Sequence, residues 1–251
     1  MLLTYLFIFI IGAVIGSFLN VCIHRLPAEQ SIVTPASHCP HCNTYIKFYD
    51  NIPILSFLLL RGKCRYCSVS ISVQYLLVEL INGAGYTVIA WKLGLNTDSA
   101  FYALLFSSLL VVSVIDLYHQ IIPDVITIPG IIIGLIASAF ILPSGIKGAI
   151  FGTLLGGGIF FVIAVVSRGG MGGGDIKLIA MIGSFLGLTD VLLTIILSSF
   201  IGSVVGVFMM IAFGKGRKYK IPFGPFLSIG GIISLFFKTK IIEWYLGMDL
   251  W

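Results

Sequence analysis

The chain has 251 residues, of which 58% are hydrophobic and only 10% are charged, with a net charge of +5 and a mean hydropathy of +1.10. This composition excludes a soluble globular domain. The basic excess does not indicate nucleic acid binding, because the sequence contains no RNA- or DNA-binding motif and the basic residues of a membrane protein mainly set its orientation. We therefore expect a membrane protein without a nucleic acid partner.

Apolar segments bounded by charged or turn residues predict an all-α polytopic membrane protein with about eight transmembrane helices, since each crossing needs about 20 apolar residues. Strands are disfavoured because a spanning barrel needs alternating polar and apolar residues. The first segment lacks the basic start and cleavage pattern of a signal peptide and is expected to remain as a span. The predicted spans are 2–22, 71–91, 99–118, 122–142, 146–167, 175–189, 191–213 and 222–237.

The distribution of basic residues predicts the topology. Segments 23–70, 168–174 and 214–221 together hold most of the Lys and Arg residues, so we expect all three to face the cytoplasm and both termini to face outward. The basic run Lys215–Lys220 is expected to contact anionic lipid headgroups. Pairs of glycines one turn apart, such as Gly12 with Gly16 and Gly152 with Gly156, predict close helix packing.

The segment after the first span carries two C-x2-C pairs separated by 21 residues, formed by Cys39, Cys42, Cys64 and Cys67. This spacing lets two knuckles supply four thiolates to one tetrahedral Zn²⁺, which would be structural because a site of four cysteines is closed. Two disulfides or free thiols are the alternatives, disfavoured by a reducing cytoplasm. We predict a small cytoplasmic zinc-binding segment whose folding depends on its metal.

Two aspartates at predicted cytoplasmic span ends are candidates for chemistry, because acids in spans are costly and need a reason. Asp116 ends an apolar run, and Asp175 follows the glycine-rich run 169–174, which lacks the spacing of a phosphate loop. Two carboxylates sharing one water form an aspartic peptidase site. As alternatives, Asp175 is only a helix N-cap, or Asp124 replaces Asp116 in the pair. The glycines would allow close approach to Asp175, and Lys177 either tunes Asp175 or binds lipid phosphate.

Several motifs, taken in chain order, resemble those of the type IV prepilin leader peptidases, membrane aspartic peptidases with a Gly-x-Gly-Asp motif. That motif is present as Gly172-Gly-Gly-Asp175. The others are Gly16–Val21 with His24–Pro27, the paired cysteines, Val78-Glu79-Leu80, Asp116 and Ile122-Pro123-Asp124. The resemblance covers nearly the whole chain.

The resemblance implies a bacterial inner-membrane enzyme whose active site faces the cytoplasm and removes the short basic leader of prepilins or pseudopilins after a glycine. Asp116 and Asp175 would be the catalytic pair, supported by Gly172, Gly174, Lys177 and Asp124. The implied division is a first helix (1–22), the zinc segment (23–70), a second helix and outer loop (71–98) and a peptidase core (99–251).

Many members of the family also N-methylate the new terminal residue with S-adenosylmethionine, an activity associated with the first cytoplasmic segment. The usual Arg-Tyr-Pro before Val-Glu is replaced here by Gln74-Tyr75-Leu76, which removes a cation and a proline. Glu79 and Asn20 either serve that second site or bond across helices. The alternative functions are an ion transporter or channel with a zinc-sensing segment, which needs acids near the bilayer midplane, and a non-catalytic scaffold.

Overall fold

The computed structural model describes residues 1–167, 170–214 and 221–247, and nearly all secondary structure in these ranges is helical. The predicted lipid-binding run Lys215–Lys220 lies outside the described residues. The helices are α1 (Leu2–Arg25), α2 (Leu55–Leu59), α3 (Val73–Leu93), α4 (Thr97–His119), α5 (Asp124–Phe140), α6 (Gly145–Val166), α7 (Gly173–Leu186), α8 (Leu188–Phe213) and α9 (Gly224–Leu246).

The predicted fold class is confirmed, because the eight longer helices coincide with the eight predicted apolar segments. Six of them, α1, α3, α4, α6, α8 and α9, are long and apolar enough to cross a membrane. Helix α5 has 17 residues and α7 has 14. The predicted span 175–189 corresponds to α7, which ends where Gly187, at φ +86°, separates it from α8. At about 1.5 Å per residue, α7 is too short to cross about 30 Å of hydrocarbon.

The chain forms two compact units, Met1–Val111 and Val112–Trp251. In the first unit, α1 and α3 approach closely through glycine. A Cβ added to Gly12 would lie 2.8 Å from the Cα of Gly83, and one added to Gly16 would lie 2.8 Å from the Cα of Glu79. The Asn82 amide connects the same two helices, because its Nδ2 donates a hydrogen bond of 2.8 Å to the carbonyl oxygen of Gly12. These contacts confirm the close packing predicted for Gly12 and Gly16.

In the second unit, α7 is the central helix, since every residue from Leu178 to Leu186 is buried. Its backbone meets that of α6, where a Cβ added to Gly183 would lie 2.5 Å from the carbonyl carbon of Gly152. A helix that is apolar all round and surrounded by neighbours gains its stability from packing rather than from contact with lipid. The first turn of α7, which carries Asp175, lies at the edge of this packed core and is half-buried.

Candidate active site and candidate metal centre

Asp116 lies in the last turn of α4 and is 5% exposed. Its Oδ2 accepts a hydrogen bond of 2.9 Å from the backbone N–H of Gly224, which begins α9. A Cβ at Gly224 would lie 2.8 Å from the same oxygen, so only glycine lets the backbone approach this carboxylate. The start of α9 also places the positive end of a helix dipole against the acid.

Asp175 is the third residue of α7, and its carboxylate accepts the backbone N–H of Gly172. It also lies close enough to Asp116 for the two carboxylates to repel each other. Gly174 permits this placement, because a Cβ there would lie 2.7 Å from the Cβ of Ile122, in the connection between α4 and α5. The structure therefore brings together the two aspartates that the sequence singled out.

Asp175 does not occupy the N-cap position of α7, although it bonds to the residue that does. The N-cap position belongs to Gly172, and Asp175, three residues later, bonds back to the N–H of that residue as the acidic member of a capping box does. A cap alone does not require a second buried carboxylate beside it. The position of Asp116 is what separates this site from an ordinary helix start.

Asp124 forms an ion pair with Lys177, whose Nζ lies 2.7 Å from both carboxylate oxygens. The two side chains are 55% and 41% exposed, respectively. Asp124 is the first residue of α5, whose N-cap is Pro123, so Asp124 lies in the first turn and is not the cap. Lys177 thus links the starts of α5 and α7.

The four cysteines after α1 converge on one point, with all ligand atoms within 4.8 Å of one another. The Sγ atoms of Cys39 and Cys67 are 3.8 Å apart. A tetrahedral Zn²⁺ with Zn–S bonds of about 2.3 Å places its sulfurs about 3.8 Å apart, so the spacing fits such an ion. All five cysteines of the chain are described and are free thiols, which disfavours the disulfide alternative. The cluster can bind a metal.

The two knuckles are built in the same way, 25 residues apart in sequence. In the first, the N–H of Cys39 donates to the carbonyl of Thr44, and the N–H of Asn43 donates back to the carbonyl of Cys39. Cys64, Val69 and Ser68 repeat the same two bonds in the second. Asn43 and Ser68 both adopt positive φ, 55° and 58°, which turns each loop around its sulfurs. Hydrogen bonds with Thr44 lower the pKa of the Cys42 thiol to about 6. For Cys67, a backbone hydrogen bond with Val69 is outweighed by desolvation and the neighbouring thiols, which raise the pKa of that thiol to about 12.

Glu79 is buried in α3 and is 7% exposed. Its Oε2 accepts the backbone N–H of Ile54 at 2.7 Å, and the carboxylate also bonds the hydroxyl of Ser17 in α1. Ile54 has φ +63° and ψ −53°, and the N–H of Leu55 donates to the carbonyl of Pro53, which together define a rare γ-turn. Glu79 thus bonds across helices, as one of the sequence expectations stated, and also holds a strained loop.

Gly224 is the site residue that sequence reasoning missed. The segment Ile221-Pro222-Phe223-Gly224-Pro225 indicates a helix start, because proline suits the first turn. Nothing local shows that the N–H of Gly224 faces an aspartate 108 residues earlier. The only local signal is a glycine directly before Pro225, at the first residue of a helix.

The apolar helices define a multi-pass membrane protein that carries two neighbouring carboxylates, Asp116 and Asp175, and a separate cluster of four thiols. Residues 10–93 match the Bacterial Peptidase A24 N-terminal domain, and residues 103–207 match the Type IV leader peptidase family. The chain belongs to the type IV leader peptidase family, as the motif resemblance predicted.

Curated relatives named prepilin leader peptidase/N-methyltransferase match along nearly their whole length. The one from Stutzerimonas stutzeri is 37% identical over 94% of this chain and 92% of the relative. The one from Pseudomonas aeruginosa is 37% identical over 94% of this chain and 91% of the relative. The one from Aeromonas hydrophila is 34% identical over 95% of this chain and 92% of the relative. No solved structure matches this chain. The relatives and the six crossing helices indicate a multi-pass protein of the inner membrane, and nothing supports the transporter alternative.

Proposed function

We propose that this protein is a membrane aspartic endopeptidase that removes the basic leader of type IV prepilins or pseudopilins after a glycine, with Asp116 and Asp175 as its catalytic pair. The observation that carries the proposal is the approach of these two carboxylates, of which Asp116 is buried and Asp175 is half-buried, each bonded by the backbone N–H of a glycine at a helix start. Family membership supplies the substrate class, because the relatives are named for prepilin leaders.

The pair performs hydrolysis with a single shared proton, because two adjacent carboxylates resist double ionisation. The ionised member takes a proton from a water molecule as the water oxygen attacks the scissile carbonyl carbon. The protonated member donates its proton to the carbonyl oxygen, which gives a tetrahedral diol. Collapse of the diol breaks the C–N bond, and the leaving nitrogen receives a proton from the pair.

The glycine N–H groups keep both carboxylates in place during this cycle. Gly224 donates to Asp116, and Gly172 donates to Asp175. Fixed orientation matters because an error of about 1 Å in the placement of a reacting group can cost about 100-fold in rate. Gly174, which permits the close approach to Ile122, sets the position of the first turn of α7.

We infer from the predicted topology that the site faces the cytoplasm. The starts of α7 and α9 adjoin segments 168–174 and 214–221, which the distribution of basic residues predicts to be cytoplasmic, and the end of α4 lies on the same side in that predicted topology. An active site at these ends receives the leader before the substrate leaves the cytoplasm. Residues Lys215–Lys220 would hold anionic lipid headgroups on the same side.

The four cysteines are proposed to hold one structural Zn²⁺. Their sulfur spacing fits tetrahedral coordination, and the two equivalent knuckles present a pair of thiols each. A closed set of four thiolates leaves no position for water, so the ion would stabilise the segment and take no part in hydrolysis. The segment between α1 and α3 contains little buried core, which makes its folding dependent on metal binding.

A second activity, N-methylation of the new terminal residue, is proposed from the names of the relatives. S-adenosylmethionine would supply an electrophilic methyl group. The residues of the first unit offer polar groups suited to such a ligand, since Asn20 has a buried Oδ1 without a hydrogen-bond partner beside the buried Glu79. The replacement of Arg-Tyr-Pro by Gln74-Tyr75-Leu76 leaves these two residues in place.

Mass spectrometry of a prepilin co-expressed with this protein tests both activities. We expect loss of the leader after a glycine and, for the second activity, an added methyl group of about 14 Da on the new N-terminus. Expression of the prepilin without this protein provides the control for host processing. An intact leader in the presence of folded, membrane-inserted protein would contradict the proposed peptidase function.

A further inference from the structure

A buried polar group lies between α1 and α3 in the first unit. The contact of Gly16 with the Cα of Glu79 fixes the register of the two helices. One turn further along α1, the Nδ2 of Asn20 donates to the carbonyl of Tyr75, which lies one turn before Glu79 in α3. Asn20 and Glu79 therefore occupy neighbouring turns of the same interface, on facing sides.

Both residues present acceptors: Glu79 accepts hydrogen bonds from Ile54 and Ser17 but forms no ion pair with lysine or arginine in the described residues, and Asn20 has an acceptor without a donor. The bond from Nδ2 to Tyr75 fixes the orientation of the Asn20 amide, so its other atom is an oxygen acceptor. That Oδ1 is buried without a partner, and Asn20 is 1% exposed. In the described ranges, the acids that pair with lysine or arginine are Asp50, Asp124 and Asp190, and Glu79 is not among them.

A buried carboxylate beside an unpaired amide oxygen favours one kind of ligand. A buried carboxylate without a counter-charge is costly, and a buried acceptor without a donor adds about 1–3 kcal/mol. A group with several N–H donors and a positive charge would satisfy both. Another anion or an apolar group would satisfy neither.

The conformation of the loop that bonds Glu79 indicates that this carboxylate has a role besides helix packing. Glu79 bonds the N–H of Ile54, a β-branched residue in a positive-φ γ-turn. Strained backbone of this kind costs about 1–3 kcal/mol and persists where surrounding structure fixes it, commonly at binding sites. The same loop connects the cysteine knuckles, so the extramembrane segment is anchored at this group.

We propose that Glu79 and Asn20 form a binding site for a primary ammonium group. The inference rests on the proposed methyl transfer, which involves two molecules with such a group. One is the processed substrate, whose new N-terminus is an amine, and the other is S-adenosylmethionine, whose amino-acid moiety carries an ammonium. Glu79 supplies the charge and Asn20 the second acceptor.

The variants Glu79→Gln and Asn20→Leu test the site in the full-length protein. Each removes one acceptor, and we expect methyl transfer to fall about 10- to 100-fold, the loss that corresponds to a hydrogen bond to a charged group. Leader cleavage should stay within about twofold of wild type, since the carboxylate pair is untouched. Ser107→Ala is the matched control, because Ser107 donates to Asn82 in the same polar interface without contacting either residue.

Two measurements distinguish the sources of the ammonium. Calorimetric titration of S-adenosylmethionine into each purified protein, without pilin, should show a 10- to 100-fold weaker Kd in the variants if the cofactor is the ligand. If the substrate is the ligand, that Kd stays unchanged, and the KM for a processed, unmethylated pilin rises by the same factor. Melting temperature and bound metal report whether each variant is folded, and Asn20→Leu decides the test if Glu79→Gln does not fold.

Unchanged Kd and KM in both folded variants would overturn the inference. A wild-type protein that removes the leader but neither methylates nor binds S-adenosylmethionine would also overturn it, while leaving the peptidase proposal intact. A wild-type protein that does not remove the leader would contradict the proposed peptidase function instead.

Discussion

The backbone N–H of Gly224 donates to Oδ2 of Asp116 at 2.9 Å, joining residues 108 positions apart in the chain. Because a Cβ at Gly224 would lie 2.8 Å from that oxygen, Gly224→Ala must displace either the carboxylate or the start of α9. We expect the kcat for leader cleavage to fall about 100-fold, as for other small displacements of reacting groups. Initial rates on a purified prepilin measure the effect.

Gly231→Ala in the same helix is the control for that variant. A Cβ there would meet its nearest neighbour, the Cδ1 of Ile182, at 3.4 Å, an ordinary contact. Cleavage and melting temperature should remain close to wild type. The pH profile of kcat/KM adds a second readout, since a displaced Asp116 should change the profile of the shared proton. Normal cleavage by folded Gly224→Ala protein would show that the contact does not position the acid.

Asp116→Asn and Asp175→Asn should each abolish measurable leader cleavage, because an amide can neither accept the proton of the water nor hold the shared proton. Asp124→Asn is the matched control. It removes the ion pair with Lys177, but both side chains of that pair are about half-exposed and such pairs contribute about 0–1 kcal/mol. We expect Asp124→Asn to cleave at nearly the wild-type rate.

The rates are to be compared in proteins with equal melting temperature and bound metal. Retained cleavage in either Asp116→Asn or Asp175→Asn would exclude the proposed pair. Loss of cleavage in Asp124→Asn, with Asp116→Asn active, would assign the first position to Asp124 instead.

Local patterns predicted most of the fold, because each apolar segment carries its own signal for a span. The exceptions arise from contacts across the chain. The length of α7 depends on burial by its neighbours and on the positive φ of Gly187, which no hydropathy pattern contains. Cysteine spacing predicted the four-thiol cluster, since it lies within one short segment.

The candidate active site was also predictable only in part from local sequence. The glycine run and the apolar flanks drew attention to Asp175 and Asp116, but the contacts that hold them could not be predicted from local sequence. Gly224 reaches Asp116 from another helix, and Lys177 bonds Asp124, 53 residues earlier. Pairings of this kind depend on how helices pack, which a single sequence does not specify.

The four-cysteine cluster should bind one zinc ion per chain, measured by elemental analysis of the purified protein. Cys64→Ser should lose most of the metal and lower the melting temperature, because a site of three thiolates no longer closes around the ion and the segment depends on it for folding. Strong chelation of the wild-type protein should have the same effect.

Cys22→Ser provides the comparison for the metal site, since Cys22 is buried in α1 and is not part of the cluster. Its metal content should equal that of wild type. A zinc ratio near zero in folded wild-type protein, or an unchanged ratio in Cys64→Ser, would exclude zinc coordination by these thiols.

An ion pair between the buried Asp190 and the half-exposed Lys238 should stabilise the contact between α8 and α9. Asp190, 5% exposed at the start of α8, accepts hydrogen bonds from Ser234 at 2.8 Å and from Lys238 at 2.6 Å. Lys238→Met leaves the buried carboxylate with the serine alone, and we expect the free energy of unfolding to fall by about 1–3 kcal/mol, the cost of an unsatisfied buried group.

Unfolding by SDS titration in mixed micelles measures this loss, with Lys240→Met as the control. Lys240 is exposed two residues further along α9 and takes part in none of the ion pairs of the described residues. The double variant Asp190→Asn with Lys238→Met should recover part of the stability, because it removes the unpaired charge that the single variant leaves behind. Equal stability of Lys238→Met and wild type would show that this ion pair contributes nothing to holding α8 and α9 together.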